Sequence, residues 1–516
     1  MSHFLVDGLS ERCASQVETY LERIREDRFI PRLLQEDATL FSAEPSQQES
    51  ISQRLGWVHS CTTLQNELDT LQSLCNELSD EGFERFILVG MGGSSAFGHV
   101  VKHQSNGRLI VLDSVVPDMV NETLPHLDDP TTFVLVGSKS GTTVEATTLA
   151  NLMQDRCGAS RMLVITDPGS PLEKHAKDHG YRAVVHGYPT VGGRFSGLSP
   201  FGALPALLAG VDVQGWINDA KRSIEDLQKS SETHSAVVVG AHIAAQVQMG
   251  ANIVLPSLGG DEAYLLPWIE QLVAESCGKR GVGVWPIPSP TKRLEAGAEI
   301  VFLENGDCAN PNAGRLSWIP PTGLGANIVW WHVLTATVGF LLGINPFDEP
   351  DVNRAKELAR RQLGSGESTP SNSTPVNSAS STDIESLFTQ ARAEKRLVSL
   401  LLFLPPSPIF EKSVRTLAEE LSEHLGLVVV PSFGPRYLHA TGQLHKGGSD
   451  DAVHLVCTME PSETGGHRDQ LQRLTLAQAL GDVEALQERG RPVVHVHVSS
   501  GMDTLQSILI PAAKAS

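Results

Sequence analysis

Short apolar runs recur between residues 85 and 190, and each run ends in or just before glycine, serine or aspartate. The runs are "RFILVG", "GRLIVLDS", "TTFVLVGS", "RMLVITD" and "YRAVVHG", and segments with helical periodicity separate them. Runs of this length fit strands that are buried on both faces. Strands that alternate with helices predict a parallel sheet covered by helices on both sides, with ligands bound at the carboxyl ends of the strands.

A similar alternation follows after residue 213 and predicts a second α/β unit. Helices are predicted at 214–229, 263–277 and 324–342, and strands at "SAVVVGAH" (235–242) and "NIVLPSL" (252–258). The fold class predicted for the chain is therefore α/β, with two parallel-sheet sandwiches in tandem.

The stretch 364–382, "GSGESTPSNSTPVNSASST", contains almost no apolar residue, which predicts a flexible linker. Strand and helix patterns resume beyond it, and residues 385–516 are called the C-terminal unit below. The predicted division of the chain is a helical lead-in, two α/β units, a linker and the C-terminal unit, at 1–80, 81–213, 214–363, 364–384 and 385–516.

Composition excludes several classes of protein. Forty Lys and Arg against sixty Asp and Glu give a net charge of −20, which disfavours nucleic acid and anionic membranes as partners. Seven scattered cysteines form no C-x-x-C pair, so no disulfide framework and no metal site is predicted. The N-terminus lacks the pattern of a signal peptide and no long uncharged apolar run is evident, so a cytoplasmic protein is expected.

Two loops at predicted strand ends are suited to bind an anion. The first, "GMGGSS", contains Gly93 and Ser94 and precedes a helix. The second has five candidate binding residues, Ser138, Lys139, Ser140, Thr142 and Thr143. Hydroxyls and free N–H groups at a helix N-terminus bind phosphate. A clean G-x-G-x-x-G spacing is absent, which favours a monophosphate over a dinucleotide.

Two further segments have candidate catalytic residues. Arg194 directly follows Gly192 and Gly193, a turn that can aim a fixed cation into a cleft. Gln271 and Glu275 lie four residues apart on one helix face. Apolar neighbours around Glu275 would raise the pKa of its carboxyl toward the range of a general base.

Taken together, these motifs resemble the phosphoglucose isomerase family, whose fold is two sugar-isomerase (SIS) domains. The similar segments are "GMGGSSAFG", "SKSGTTVEA", "GGRFSGLS", "QLVAESCGK" and "LLGINPFDEPDVNRAK", in the family's order. "EDATLF", "RLGWV", "ITDPGSPL" and "GPRYLHATGQLHKGG" are most similar to the isomerase portion of fused transaldolase/phosphoglucose isomerase proteins. About 80 residues before the first sheet leave no room for a transaldolase barrel, so that activity is not expected.

The resemblance implies an aldose–ketose isomerase of glycolysis and gluconeogenesis that interconverts glucose 6-phosphate and fructose 6-phosphate. Glu275 would move a proton between C2 and C1 through a cis-enediol, and Arg194 would stabilise the enediolate. Gln271 and Gly93 would line the site, the two loops would hold the phosphate, and Lys356 would assist ring opening. The chemistry implied needs no cofactor and no metal.

Two positions depart from the family pattern. The family's catalytic histidine lies between the glutamate helix and "NPFD", where this chain has only His332, in an apolar helix that favours a core role. His445 and Lys446, in "TGQLHKGG", which is predicted to be a polar Gly-flanked loop, are the alternative candidates for ring opening and substrate binding. Glu349 stands where many relatives have glutamine, so it is expected to point away from the phosphate or to be paired.

Two other functions remain open from the sequence. A proton shuttle at C2 does not fix the epimer, so mannose 6-phosphate could also be a substrate. A non-catalytic sugar-phosphate-binding SIS protein is the second alternative, although such a protein has no need of Glu275, Arg194 and Lys356 together. A homodimer is a possible assembly.

Overall fold

Three β-sheets organise the part of the chain that the computed structural model describes. The described residues are 5–8, 10–251, 253–258, 260–287, 298–303, 314–364, 378–405, 408–499 and 501–516. Most of the predicted linker, residues 365–377, lies outside this set. The α/β class is confirmed, and the unit boundaries stay predictions.

The first sheet is parallel throughout, as its buried apolar runs predict. Its strand order is β3-β2-β4-β5-β6. The strands are β2 Arg85–Gly90, β3 Leu109–Leu112, β4 Thr132–Gly137, β5 Met162–Thr166 and β6 Ala183–His186, and the helices are α5 Ala96–Gln104, α6 Pro117–Thr123, α7 Val144–Cys157, α8 Pro171–His179 and α9 Pro200–Leu208.

The second sheet is mixed, so the prediction of a second parallel sheet is wrong for the described strands. Its order is β1-β10-β9-β7-β8, and only β7 and β8 pair in parallel. The strands are β1 Leu5–Asp7, β7 Ile253–Leu258, β8 Trp285–Pro286, β9 Ala298–Leu303 and β10 Gly314–Trp318. The lead-in supplies β1 to the edge of this sheet and is otherwise helical, as predicted, with α1 Glu11–Glu26, α2 Phe29–Leu33, α3 Pro45–Ser52 and α4 Ser60–Asp80.

The predicted strand at 235–242 is a helix. The helices of this part are α10 Val213–Ser230, α11 Ser235–Gln248, α12 Leu266–Cys277, α13 Leu324–Leu342 and α14 Val352–Gly364. Packing overrides the β-branched residues of α11, because Gly240 lets this helix approach Thr337 of α13 closely. By length and composition α13 could cross a membrane, but its apolar window is wholly buried in the protein.

The C-terminal unit has a parallel sheet of its own, in the order β12-β11-β13-β14. It docks on the rest of the same chain, where Leu471 and Leu474 join the core beside the first sheet. The strands are β11 Leu397–Phe403, β12 Val429–Phe433, β13 Ala452–Met459 and β14 Val493–Val498, and the helices are α15 Ser381–Glu394, α16 Pro408–Leu425, α17 Gly442–Gly447, α18 His467–Glu488 and α19 Met502–Ala515.

Candidate active site

The two glycine- and serine-rich loops are neighbours at the carboxyl edge of the first sheet. β2 and β4 pair in parallel, and the last pair in register is Gly90 with Gly137. Loops 91–95 and 138–143 therefore leave the sheet side by side at its carboxyl edge, where the predicted parallel sheet is expected to bind ligands.

The second loop presents hydroxyl groups at the start of α7. Ser138 is buried and donates from Oγ to Thr143 Oγ1 at 3.2 Å, whereas Ser140 and Thr142 are exposed with their side-chain oxygens 3.0 Å apart. Thr143 immediately precedes the helix and no side chain caps the free N–H groups there. These N–H groups and hydroxyls form a donor set that suits an anion.

Lys139 of the same loop is used within the protein. Its Nζ donates to Asp167 Oδ2 at 2.5 Å and to the carbonyl oxygens of Tyr188 and Pro189 at 3.0 and 3.3 Å. Burial lowers the pKa of Lys139, and the Asp167 carboxylate partly offsets that effect. The ammonium group therefore fixes the loop to residues 188–189, so the structure does not support a role for this side chain in phosphate binding.

The first loop touches the loop that precedes Arg194. A Cβ atom on Gly93 would lie 2.2 Å from the carbonyl carbon of Gly193 and 2.7 Å from the backbone nitrogen of Arg194. Only glycine fits at position 93 while the loops are this close. Ser94, next in the chain, is buried against Gly137. The candidate anion-binding edge of the first sheet is thus in direct contact with the backbone of the loop that positions Arg194.

Arg194 is almost fully buried, with 4% of its surface exposed. Its Nε donates to Ser276 Oγ at 2.8 Å, and Nη2 donates to the carbonyl oxygens of Pro346 and Asp348 at 2.8 and 2.9 Å. These hydrogen bonds fix the plane of the guanidinium, so that Nη1 points in one defined direction.

Nη1 of Arg194 faces two carboxylates. It lies 3.2 Å from Glu275 Oε1 and 3.1 Å from Glu349 Oε2. Gln271 donates from Nε2 to the other oxygen of Glu275 at 3.2 Å, as its position one helical turn away predicts. Arg194, Gln271, Glu275 and Glu349 are called the Arg194 cluster below. Glu349 is paired, which is one of the two outcomes expected for it.

The surroundings shift the pKa values of the two carboxylates of the cluster in opposite directions. Burial raises the pKa of Glu275, Arg194 opposes that effect, and the charge of Glu349 adds to it, so the pKa lies above the ordinary value. Burial also acts to raise the pKa of Glu349, but Arg194 and Arg54 more than offset it and the pKa is lowered. Glu275 is therefore the carboxyl group of the pair that takes up a proton more readily, as a general base must.

The structure brings His439, which the sequence analysis did not select, to the edge of the Arg194 cluster. Its Nε2 lies 2.7 Å from Glu145 Oε1, and its carbonyl oxygen accepts from Gln271 Nε2 at 2.8 Å. Glu145 is buried; burial acts to raise its pKa, but His439 and further hydrogen bonds lower it to about 2. The sequence signal was Glu145, the second residue after the hydroxyl loop. At that position it resembles an ordinary acidic residue in the first turn of a helix.

His439 belongs to the C-terminal unit, and Gln443 fixes that unit beside the cluster. Gln443 donates to the carbonyl oxygen of Gly278 at 3.0 Å and to Asp351 Oδ2 at 2.7 Å, and it accepts from the Asp351 backbone N–H at 2.9 Å. The start of α17 is thus tied to the end of α12 and to the start of α14.

The polar segment around His445 and Lys446 is the buried helix α17 and not a loop, which corrects the sequence analysis. Lys446 pairs with Asp482 at 2.5 Å, and both side chains are buried. His445 stacks on Trp285 with ring centroids 5.3 Å apart, and burial, aided by His454 and Lys446, holds its pKa well below the usual range. Among the described contacts neither residue reaches the Arg194 cluster, so the structure does not support them as catalytic or substrate-binding groups.

Lys356, for which the resemblance implies a role, is exposed, whereas Lys279 is buried near Arg194. Lys356 is exposed on α14 and makes no hydrogen bond or ion pair with the Arg194 cluster within the described ranges. Lys279, one turn beyond Glu275, is buried and donates to the Asn345 carbonyl oxygen at 2.7 Å and to Asp348 Oδ1 at 2.7 Å. Burial, helped by Arg194, lowers the pKa of Lys279 to about 8.

His332 is a core residue, as its apolar helix predicts. Its ring lies 5.2 Å from that of Trp57 and 4.8 Å from that of Phe195, measured between centroids. Burial lowers the pKa of His332 to about 3, so the ring is neutral at physiological pH.

A cavity of about 100 Å³ adjoins Gln271 on the side of the C-terminal unit. Burial raises the pKa of Glu270, whose side chain lines this cavity, to about 7. Glu275 does not line it, so Glu270 and Glu275 occupy different surroundings although both are on α12.

Comparisons with known proteins identify sequence relatives that match between 55% and 60% of this chain. No family model matches the chain. A glucose-6-phosphate isomerase from Thermus thermophilus is 30% identical over 389 residues, which are 60% of this chain and 90% of the relative. A probable glucose-6-phosphate isomerase from Natronomonas pharaonis is 33% identical over 348 residues, 55% of this chain and 80% of the relative. One from Rubrobacter xylanophilus is 29% identical over 377 residues, 58% of this chain and 86% of the relative.

Among solved structures, a glucose-6-phosphate isomerase from Chlamydia trachomatis is similar with a TM-score of 0.50. It is 18% identical and the match covers 70% of this chain and 88% of that one, a likeness of fold alone. Two of the sequence relatives are at least 30% identical to this chain, which covers 80% and 90% of their length. They agree with the family resemblance that the motifs indicate. The chain belongs to the glucose-6-phosphate isomerase family.

Proposed function

We propose that the chain interconverts glucose 6-phosphate and fructose 6-phosphate, with Glu275 as the base that moves a proton between C2 and C1. The contact between Arg194 and Glu275 supports this most directly, because a buried base lies 3.2 Å from a fixed cation. A base removes the C2 proton and the cation stabilises the oxygen that becomes negative in the cis-enediolate. Supplying fructose 6-phosphate and following glucose 6-phosphate with a coupled dehydrogenase tests the activity.

The loop hydroxyls would hold the substrate in place by binding its phosphate. Ser138, Ser140, Thr142 and Thr143, with the N–H groups that start α7, form the donor set for the phosphate. Gly93 allows the first loop to close on Arg194, so that the phosphate end and the reacting carbons are held by loops in contact. Such positioning lowers the barrier because the reacting groups are already held in a productive geometry.

His439 is the residue we propose for ring opening. It protonates the ring oxygen as the bond from C1 to that oxygen breaks, and the C1 hydroxyl gives up its proton to solvent, which leaves the aldehyde. Glu145 stays ionised beside it and stabilises the imidazolium form. The role that the resemblance implies for Lys356 has no contact in the described residues to support it.

Replacing His439 with asparagine should separate ring opening from proton transfer. We expect isomerisation of fructose 6-phosphate to fall by roughly 10²-fold or more, because general acid catalysis at the ring oxygen is lost. An aldotetrose 4-phosphate cannot cyclise through its phosphorylated oxygen, so exchange of its C2 proton for deuterium in D₂O should persist.

His467→Asn is the matched control for this variant. His467 also belongs to the C-terminal unit and contacts Asn121 of the first unit at 3.1 Å, away from the Arg194 cluster. Its substitution should leave both reactions unchanged. Equal losses of hexose isomerisation and tetrose exchange in His439→Asn would contradict a role confined to ring opening.

Replacing Glu349 with glutamine should shift the pH dependence of the reaction. Glu349 raises the pKa of Glu275, so removing its charge lowers the pKa of the base. The base must be ionised to act, and activity is lost as pH falls through its pKa. The acidic limb of the kcat/KM profile should therefore move to lower pH in Glu349→Gln. A shift of that limb to higher pH would contradict the assignment.

Two alternatives are separated by substrate tests. If mannose 6-phosphate is also a substrate, it should yield fructose 6-phosphate in the same assay. A protein that only binds sugar phosphates would bind without turnover, but such a protein has no need of a buried Glu275 paired with Arg194.

Finer features of this function also stay proposals. We place the chain with the isomerase portion of fused transaldolase/phosphoglucose isomerase proteins on the strength of "GPRYLHATGQLHKGG" and the other segments quoted above. We also propose a cytoplasmic enzyme that forms a homodimer. Light scattering after size-exclusion chromatography would measure the mass in solution.

A further inference from the structure

One oxygen of Glu145 accepts two hydrogen bonds, and both donors belong to the C-terminal unit. His439 Nε2 lies 2.7 Å from Glu145 Oε1, and Gln478 Nε2 donates to the same oxygen at 2.5 Å. Glu145 lies in the first turn of α7, His439 precedes α17 and Gln478 lies on α18. The three side chains thus join the phosphate-loop helix to two separate segments of the C-terminal unit.

The orientation of the Gln478 amide is determined by Glu145. Gln478 is 5% exposed, and its Oε1 is buried without a hydrogen-bond partner in the described part of the chain. A buried acceptor left unpaired costs about 1 to 3 kcal/mol. Turning the amide over would direct that oxygen at the Glu145 carboxylate, which is ionised because its pKa is about 2. The NH₂ group therefore faces Glu145.

The backbone of α18 holds Gln478 firmly at this point. One turn before it, Thr475 is buried and donates from Oγ1 to the carbonyl oxygen of Val115 in the first unit at 3.3 Å. Leu471 and Leu474 pack into the core beside the first sheet. The amide of Gln478 is therefore carried on a docked helix and not on a mobile loop.

We propose that Gln478 is a positioning residue for ring opening, an inference that rests on the function proposed for His439. By donating to Glu145 Oε1 it fixes that oxygen in line with His439 Nε2. The Nε2 position is then the one that bonds the carboxylate, and Nδ1, which bonds no described residue, is left to face the substrate. A residue that holds a partner group in this way typically affects the rate by about 10- to 100-fold.

The test compares Gln478→Leu with Gln472→Leu. Gln472 lies on the same helix and is similarly buried, but its Nε2 donates to the carbonyl oxygen of Met459 at 3.0 Å. We expect Gln478→Leu to lower kcat for fructose 6-phosphate by about 10- to 100-fold and to leave deuterium exchange at C2 of an aldotetrose 4-phosphate unchanged. Gln472→Leu should leave both reactions unchanged.

A double-mutant cycle shows whether Gln478 acts through His439. In a His439→Asn background, adding Gln478→Leu should cause no further loss of hexose isomerisation, because the group that it positions is already gone. The full additional loss in that background would overturn the proposal, as would equal losses on the hexose and tetrose substrates. Gln478→Met, which keeps the side-chain length without the amide, is measured in parallel.

Failure of the inference can be told from failure of the proposed function. If the wild-type chain turns over neither hexose 6-phosphate nor tetrose 4-phosphate, the function itself is wrong. If the wild type is active and both Gln478 variants lose their folded circular dichroism, Gln478 has a structural role and the positioning proposal is overturned.

Discussion

Replacing Glu275 with glutamine should lower kcat for fructose 6-phosphate by roughly 10²- to 10⁴-fold. The amide matches the carboxylate in shape but cannot take a proton from C2 of the sugar. Arg194 still has Glu349 as a partner, so the packing of the cluster should be kept. The coupled dehydrogenase assay measures the loss, and KM should change little, since the phosphate loops are not altered.

Glu270→Gln is the control for this substitution. Glu270 lies on the same helix and burial raises its pKa to about 7, but its side chain lines the cavity beside Gln271 and does not contact Arg194. A raised pKa alone should not make a residue essential, so Glu270→Gln should retain turnover. Turnover that survives in Glu275→Gln, or an equal loss in Glu270→Gln, would mean that the base is misassigned.

Replacing Arg194 with methionine should both abolish turnover and destabilise the fold. Arg194 is 4% exposed, and its guanidinium contacts both Glu275 and Glu349. Removing one partner of a buried ion pair leaves uncompensated charge and costs about 3 to 5 kcal/mol in the free energy of unfolding. Without the cation the pKa of both carboxylates rises. Protonation then removes the buried negative charge, so the destabilisation should become smaller as pH is lowered.

Arg182→Met provides the comparison. Arg182 also contacts two carboxylates, Glu77 at 3.0 Å and Glu81 at 2.8 Å, but all three side chains are at least one-third exposed. Its loss should cost about 0 to 1 kcal/mol. Urea denaturation followed by tryptophan fluorescence measures both variants. Equal effects of the two substitutions would show that burial of the Arg194 cluster contributes little to stability.

Local pattern was sufficient to predict the part of the site that lies at the edge of the first sheet. Buried apolar runs gave the parallel strands, and parallel pairing of β2 with β4 necessarily places their two loops together. Helical spacing alone put Gln271 and Glu275 on one face. These relations depend on residues within one element or on adjacent strands, where periodicity is informative.

His439 could not be predicted in the same way. It meets Glu145 across 294 residues of sequence, through docking of the C-terminal unit, and no local pattern specifies that contact. The interval in which the family has its histidine contains only His332 in this sequence, and the polar segment "TGQLHKGG" contains His445, so local pattern indicates these two residues instead. A charged residue whose buried partners belong to another unit, as those of Glu145 do, can be recognised only after the units are assembled.

The segment "TGQLHKGG" misled the sequence analysis because its glycines have a packing role. A Cβ atom on Gly447 would lie 2.1 Å from Asp351 Oδ2 and 2.5 Å from Gln443 Nε2. The absence of a side chain at this point lets α17 approach α14, so the glycines indicate close contact and not flexibility. The prediction of a strand at 235–242 was wrong for a related reason, because Gly240 lets α11 pack closely against α13.

The contact between Gly93 and Gly193 restricts how this enzyme could acquire a new substrate preference. Position 93 admits no side chain while the arginine loop keeps its place, whereas a Cβ atom on Gly193 would meet Gly93 Cα at an ordinary 3.8 Å. Variation at 93 would therefore displace the cation as well as the phosphate loop. A library that diversifies position 193 and holds position 93 fixed would explore new sugars without first displacing Arg194 from Glu275, the proposed catalytic pair.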